Sequence, residues 1–118
     1  MSLPAVPIVE VKTVPGGAVV SMLDARLDME RSLEFKQRLD EVIDGGASPI
    51  VLDLSQVHSI DSSGLGTVVS VFKRMPDGAF HVAGLRPNVR MLFQITRLDK
   101  FITVYATVDE ALATFGRA

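Results

Sequence analysis

The sequence contains no cysteine, which removes disulfide frameworks, thiolate metal sites and catalytic thiols from consideration. Histidine is nearly missing as well, and His58 and His81 are too few for a convincing metal cluster. There is no basic excess: 12 Lys and Arg stand against 14 Asp and Glu, a net charge of −2. A phosphodiester backbone would find little to neutralise it, so nucleic acid is not an expected partner. No apolar run approaches the ~18 residues of a membrane span, and the start lacks the charged-then-apolar layout of a signal peptide. The chain therefore reads as cytoplasmic, and the lack of cysteine fits a reducing compartment. Repeats, linkers and low-complexity tracts are also wanting.

What is present suits one globular domain. Of 118 residues, 47% are hydrophobic and 22% charged, a balance typical of folded proteins and far from that of disordered ones. A domain of this length hides roughly two thirds of its unfolded surface. Met1 to Pro7, with Pro4 and Pro7, reads as a loose leader, leaving a domain over residues 8–118.

The order of elements follows from periodicity. Ile8–Thr13 and Ala18–Leu23 read as strands joined through Pro15-Gly16-Gly17 in a hairpin. Asp28 precedes a helix of about four turns marked by Phe35, Leu39, Val42 and Ile43 and stopped by Gly45-Gly46. The apolar run Ile50, Val51, Leu52 and Leu54 suits a central strand, covered on both faces. Leu65, Val68, Val69 and Phe72 mark a second helix, ended by Pro76-Asp77-Gly78. Ala79–Ala83 is the next strand. Val89, Leu92, Phe93 and Thr96 give a third helix with Pro87 in its first turn, Phe101–Tyr105 a last strand, and Val108, Ala111, Leu112 and Phe115 a fourth helix. Thr107 and Glu110 form a capping box there. The pattern ββαβαβαβα predicts an α/β domain with a mixed, mainly parallel sheet of about five strands and four helices.

The informative place is the corner Asp61-Ser62-Ser63-Gly64-Leu65-Gly66, where a strand hands over to the second helix. Its plain reading is capping, with Asp61 or Ser62 accepting from the first free N–H groups. The two glycines ask for more, because each costs a helix about 1 kcal/mol relative to alanine. They allow close approach of another surface or a sharp turn of the backbone. A phosphoryl group on Ser62 would lie near the positive end of the helix dipole and add a charge of about −1.5 to −2. With Asp61 beside it and Asp28 expected on the same rim, that charge would turn a mixed surface acidic and repel a docked partner. Other chemistries are weaker. A serine nucleophile needs a base, only His58 and His81 are available, and the sequence is not G-x-S-x-G. Gly64-x-Gly66 lacks the lysine of a P-loop and the third glycine of a dinucleotide fingerprint. The histidines read as structural or solvent-facing, and Met22, Met29, Met75 and Met91 as core filler or helix borders.

With the element order and this corner in view, the chain resembles the STAS domain family, specifically bacterial anti-sigma factor antagonists. The likeness spans about Ile8 to Phe115. It is carried by IVLDLSQVHSIDSSGLG from Ile50 to Gly66, similar to the family's strand followed by D-S-[ST]-G-L-G. Arg86-Pro87-Asn88-Val89-Arg90-Met91-Leu92-Phe93 looks like its P-x-V-x-x-[LV]-[FL] helix. The resemblance implies helices largely on one side of one sheet, and this architecture takes precedence over the cover on both faces that the Ile50 run alone suggests. It makes Ser62 the phosphoacceptor, with Asp61 its acidic neighbour, and Asp28, Ser63, Gly64, Leu65 and Gly66 part of the partner-binding rim. It implies a non-enzymatic switch: the unphosphorylated protein binds an anti-sigma factor serine kinase and so frees a sigma factor, and a metal-dependent serine phosphatase resets it. ATP and metals belong to those partners, so no cofactor is expected in this chain. The rival expectation is a STAS scaffold within a lipid-transport or larger signalling assembly, its serine a mere cap. Where relatives commonly read T-G-L this chain has Thr96-Arg97-Leu98, and a non-glycine residue at a helix C-terminus can alter the local turn.

Overall fold

The computed structural model describes residues 7–115, so the leader expected at positions 1–7 lies, Pro7 apart, outside the described residues. Pro15 and Gly16, the latter at φ 84°, close a two-residue turn between β1 (Val9–Val14) and β2 (Gly17–Met22). Proline presets the first turn position and only glycine enters the second without strain. A two-residue strand, β3 (Arg26–Leu27), leads into α1 (Met29–Asp44), then β4 (Ile50–Asp53) and a second short strand, β5 (Ser59–Ile60). The remainder is α2 (Ser62–Arg74), β6 (Phe80–Ala83), α3 (Pro87–Ile95), a 3-10 turn over Leu98–Lys100, β7 (Thr103–Tyr105) and α4 (Val108–Leu112).

The main sheet has the order β1-β2-β4-β6-β7, with β1 antiparallel to β2 and the other neighbours parallel. Phe35, Leu39, Val68, Val71, Val89 and Phe93, from α1, α2 and α3, close over Val20, Met22, Ile50, Leu52 and Val82 on one face. On the other face Val19, Val51 and Ala83 meet Ala111 of α4. Three helices on one side is the arrangement the resemblance implies. The fourth packs on the opposite face, so β4 does have the two-sided cover that its apolar run alone suggests and that the one-sided architecture displaced as the expectation.

The burial of α2 differs from its apolar stripe. The inward residues are Gly64, Thr67, Val68 and Val71, so of the expected Leu65, Val68, Val69 and Phe72 only Val68 is fully buried. The helix is rotated by about one residue because its closest neighbour tolerates only small side chains, as Gly64 shows below. The last strand also starts later than expected. Phe101 is 70% exposed and belongs to the turn before β7. At the fourth helix Thr107 accepts from the Glu110 N–H at 3.1 Å. Met22 and Met75 are core residues, whereas Met29 and Met91 are exposed.

Beneath α4 lies His81, its ring 5.7 Å from that of Tyr105 and 6.0 Å from that of Phe115. Its Nδ1 is buried with no partner among the described residues, and burial pushes its pKa below the usual imidazole value.

Arg97 follows α3 at φ 62°, ψ 20°, the left-handed conformation that a glycine would adopt freely. The turn thus keeps a glycine-like shape at the expense of strain in arginine. Arg97→Gly is expected to stabilise the domain by about 1 kcal/mol, read as a higher urea midpoint with an unchanged m-value.

Candidate functional site

Two strands too short to show a period build the corner. β3 and β5 pair in parallel, Arg26 with Ser59 and Leu27 with Ile60, and each passes directly through an aspartate into a helix. The starts of α1 and α2 are thereby set side by side. Their aspartates are not equivalent. Asp61 donates its N–H to the Leu27 carbonyl at 3.2 Å, and its carboxylate bonds both helices: Oδ1 accepts from the Gly64 N–H at 2.9 Å and Oδ2 from the Met29 N–H at 3.0 Å. One side chain satisfies an orphan donor at each of two helix starts.

Asp28 is the cap of α1, accepting from the Arg31 N–H at 3.3 Å, and the Arg31 Nη1 reaches both of its oxygens at 3.0 Å. Arg31 Nε holds Asp24 Oδ2 at 2.7 Å. Desolvation pushes the Asp28 carboxyl up, but the hydrogen bonds and charge of Arg31 outweigh it and keep the group below the usual carboxylate range. Asp24 is lowered chiefly by its hydrogen bond from Arg31.

Ser62 is the first residue of α2, exposed, and its hydroxyl makes no hydrogen bond among the described residues. The capping that either Asp61 or Ser62 could have supplied is therefore done by Asp61. Ser63 is half-buried and its carbonyl accepts from the Thr67 hydroxyl at 3.0 Å. The two glycines separate in role. A Cβ on Gly64 would strike the backbone of Leu27, meeting its carbonyl oxygen and lying 2.9 Å from its carbonyl carbon, whereas a Cβ on Gly66 would meet nothing. The close approach at Gly64 is internal, and Gly66 faces open space. Leu65 is half-buried, and Met29 and Leu33, four residues apart on α1, are 73% and 68% exposed. Asp28, Asp61, Ser62 and the exposed glycine thus belong to one rim.

The loop before β5 is fastened from two sides. The Ala25 carbonyl accepts from the N–H groups of His58 at 2.7 Å and Ser59 at 3.2 Å. From the start of α3, Arg86 Nε donates to the Ser55 carbonyl at 3.0 Å and the Asn88 amide to that of His58. The His58 side chain is exposed.

No side-chain base among the described residues holds the Ser62 hydroxyl. Among the described residues no group of three His, Cys, Asp or Glu could hold a metal ion, and no helix is long and apolar enough to cross a membrane. Sequence reasoning missed β3 and β5, the two hydrogen bonds that the Asp61 carboxylate accepts, and the exposed pair Met29 and Leu33. A signal for the short strands does exist, because Leu27-Asp28 and Ile60-Asp61 repeat one apolar-aspartate step before each helix.

The family model described as the STAS domain matches residues 9–111. The chain belongs to the STAS domain family. This STAS domain is 36% identical over 97 residues to a Thermotoga neapolitana protein provisionally named an anti-sigma factor antagonist, covering 80% of this chain and 86% of that one. It is 29% identical over 99 residues to the anti-sigma F factor antagonist of Paenibacillus polymyxa, covering 81% and 85% of the two. The crystal structure of an anti-sigma factor antagonist from Mycobacterium paratuberculosis superposes with a TM-score of 0.84 at 28% identity, covering 92% of this chain and 93% of that one.

Proposed function

We propose that this STAS domain is a non-enzymatic, cytoplasmic anti-sigma factor antagonist whose docking to an anti-sigma factor serine kinase is switched off by phosphorylation of Ser62. The unphosphorylated form occupies the kinase and so releases a sigma factor, and a metal-dependent serine phosphatase regenerates it. The observation that supports the reading is the division of labour at the corner: Asp61 does the capping, leaving the adjacent Ser62 hydroxyl exposed and without a hydrogen bond among the described residues. Asp28, Asp61, Ser63, Leu65 and Gly66 form the rim against which the partner docks, with Gly66 admitting it closely to α2 and the buried Gly64 seating that helix on Leu27 beneath.

A phosphoryl group at the first position of α2 meets the positive ends of two neighbouring helix dipoles, so the fold tolerates it. Outward, however, it adds to the negative charge of Asp61, Asp28 and the exposed Glu30, which Arg26 and Arg31 offset only in part. The partner would then face like-charge repulsion or an unpaired desolvated charge.

The test is incubation with the cognate kinase and ATP, followed by mass spectrometry and binding measurements. Stoichiometric modification at Ser62 is expected, with affinity for the kinase falling about a hundredfold on modification and at least about tenfold in Ser62→Asp. Ser62→Ala should bind as the parent does, resist modification, and change stability by less than about 0.5 kcal/mol, because its side chain caps nothing. Equal affinities for all forms would reject the switch, and lack of modification would favour a STAS scaffold instead.

A further inference from the structure

The outer edge of β1 is open: among the described residues no strand pairs with it, and Glu10, Val11, Lys12 and Thr13 all reach solvent. Neither Glu10 nor Lys12 has an ionic partner among those residues. An open edge is a template for another strand, and charged side chains usually blunt it. Here the charges do something more selective.

In the antiparallel hairpin Leu23 donates its N–H to the Ile8 carbonyl, and Glu10 lies opposite Ser21, Val11 opposite Val20 and Lys12 opposite Val19. Hydrogen-bonded pairs alternate along such a ladder. Ile8, Glu10 and Lys12 therefore turn their backbone groups towards β2, and Val9, Val11 and Thr13 turn theirs to the open edge. A second β1 placed antiparallel about a two-fold axis at Val11 would pair Val11 with its own copy and Val9 with Thr13, through about six backbone hydrogen bonds. Glu10 would then sit opposite Lys12 of the copy, twice, in the closer non-hydrogen-bonded position. Shifting the axis by one residue places Glu10 against Glu10 or Lys12 against Lys12. Like charges penalise both neighbouring registers, so the sequence selects one.

We propose that β1 is a homodimerisation edge, its occupant a second copy of this chain, joined about Val11 so that the two five-stranded sheets become one continuous sheet. The partly exposed Val11 would be covered on the α1 side, and the two Glu10–Lys12 pairs would close the α4 side. No residue of the Ser62 corner lies on β1, so the dimer stands independently of the switch.

The test is sedimentation equilibrium of the full chain and of two charge-reversed proteins, Glu10→Lys and Lys12→Glu, each first checked for an unchanged melting curve. The parent is expected to dimerise, and each reversal alone to weaken association about tenfold or more, since it sets like charges opposite one another twice. An equimolar mixture of the two should regain the parent affinity as a heterodimer, because the two edge lysines of one chain then face the two edge glutamates of the other. A misfolded variant cannot produce that rescue. A parent monomeric to about 1 mM, reversals without effect, or a mixture that fails to associate would each overturn the proposal.

Discussion

Replacing Gly64 with alanine is expected to lower the stability of the domain by about 2 kcal/mol, a fall in melting temperature of about 8 °C for a chain of this length. The added methyl meets the Leu27 carbonyl, which is backbone and is fixed by its bond from the Asp61 N–H, so it cannot give way as a flexible side chain would. α2 must back away from β3, and the α1 and α2 starts separate. Alanine's better helix propensity recovers only part of the loss. Gly66→Ala, two residues on, should behave in the opposite sense. Its methyl meets nothing, so the helix gains about 1 kcal/mol. On the proposed reading that same methyl weakens the kinase complex. Thermal melts of the two variants check the first contrast, and a binding titration the second. A Gly64→Ala protein as stable as the parent would show that the strand and helix can separate freely.

The second large effect is expected at Asp61. Asp61→Ala removes the acceptor for two helix starts, Gly64 of α2 and Met29 of α1, and should cost about 2 kcal/mol, roughly one for each lost cap. Asp61→Asn discriminates between the two bonds. Its amide oxygen can still accept from Gly64 while its nitrogen cannot accept from Met29, so about half the loss should return. Urea denaturation of the three proteins measures this directly. Were asparagine and alanine equally damaging, the bond to α2 would contribute nothing.

The ladder of large elements was legible because its residues repeat with a period. The four helices and the five strands of the main sheet are legible in their order, and Asp28 and Gly45 mark the ends of α1 as their chemistry suggests. Periodicity failed where contacts are closest. The inward face of α2 carries Gly64 and Thr67, which a count of apolar bulk overlooks, so the stripe was placed one position away. β3 and β5, at two residues each, are too short to alternate, and their pairing across 32 intervening positions is a tertiary fact. Asp61 and Ser62 are both good caps by propensity. Only the geometry assigns the task to the first, with Oδ2 turned towards another helix altogether. At Arg97 the departure from the family's glycine was visible in the sequence, and the backbone answered it by keeping the turn and straining the residue.

The loop fastened to Ala25 on one side and to Arg86 and Asn88 on the other reaches the corner already shaped. On the proposed reading, a partner arriving at that rim would not wait for this loop to settle, and the loop would surrender little motional freedom. Capture would then be governed by how often two molecules collide in the right orientation, and a change in ionic strength would alter its speed more than a change in temperature-dependent local order.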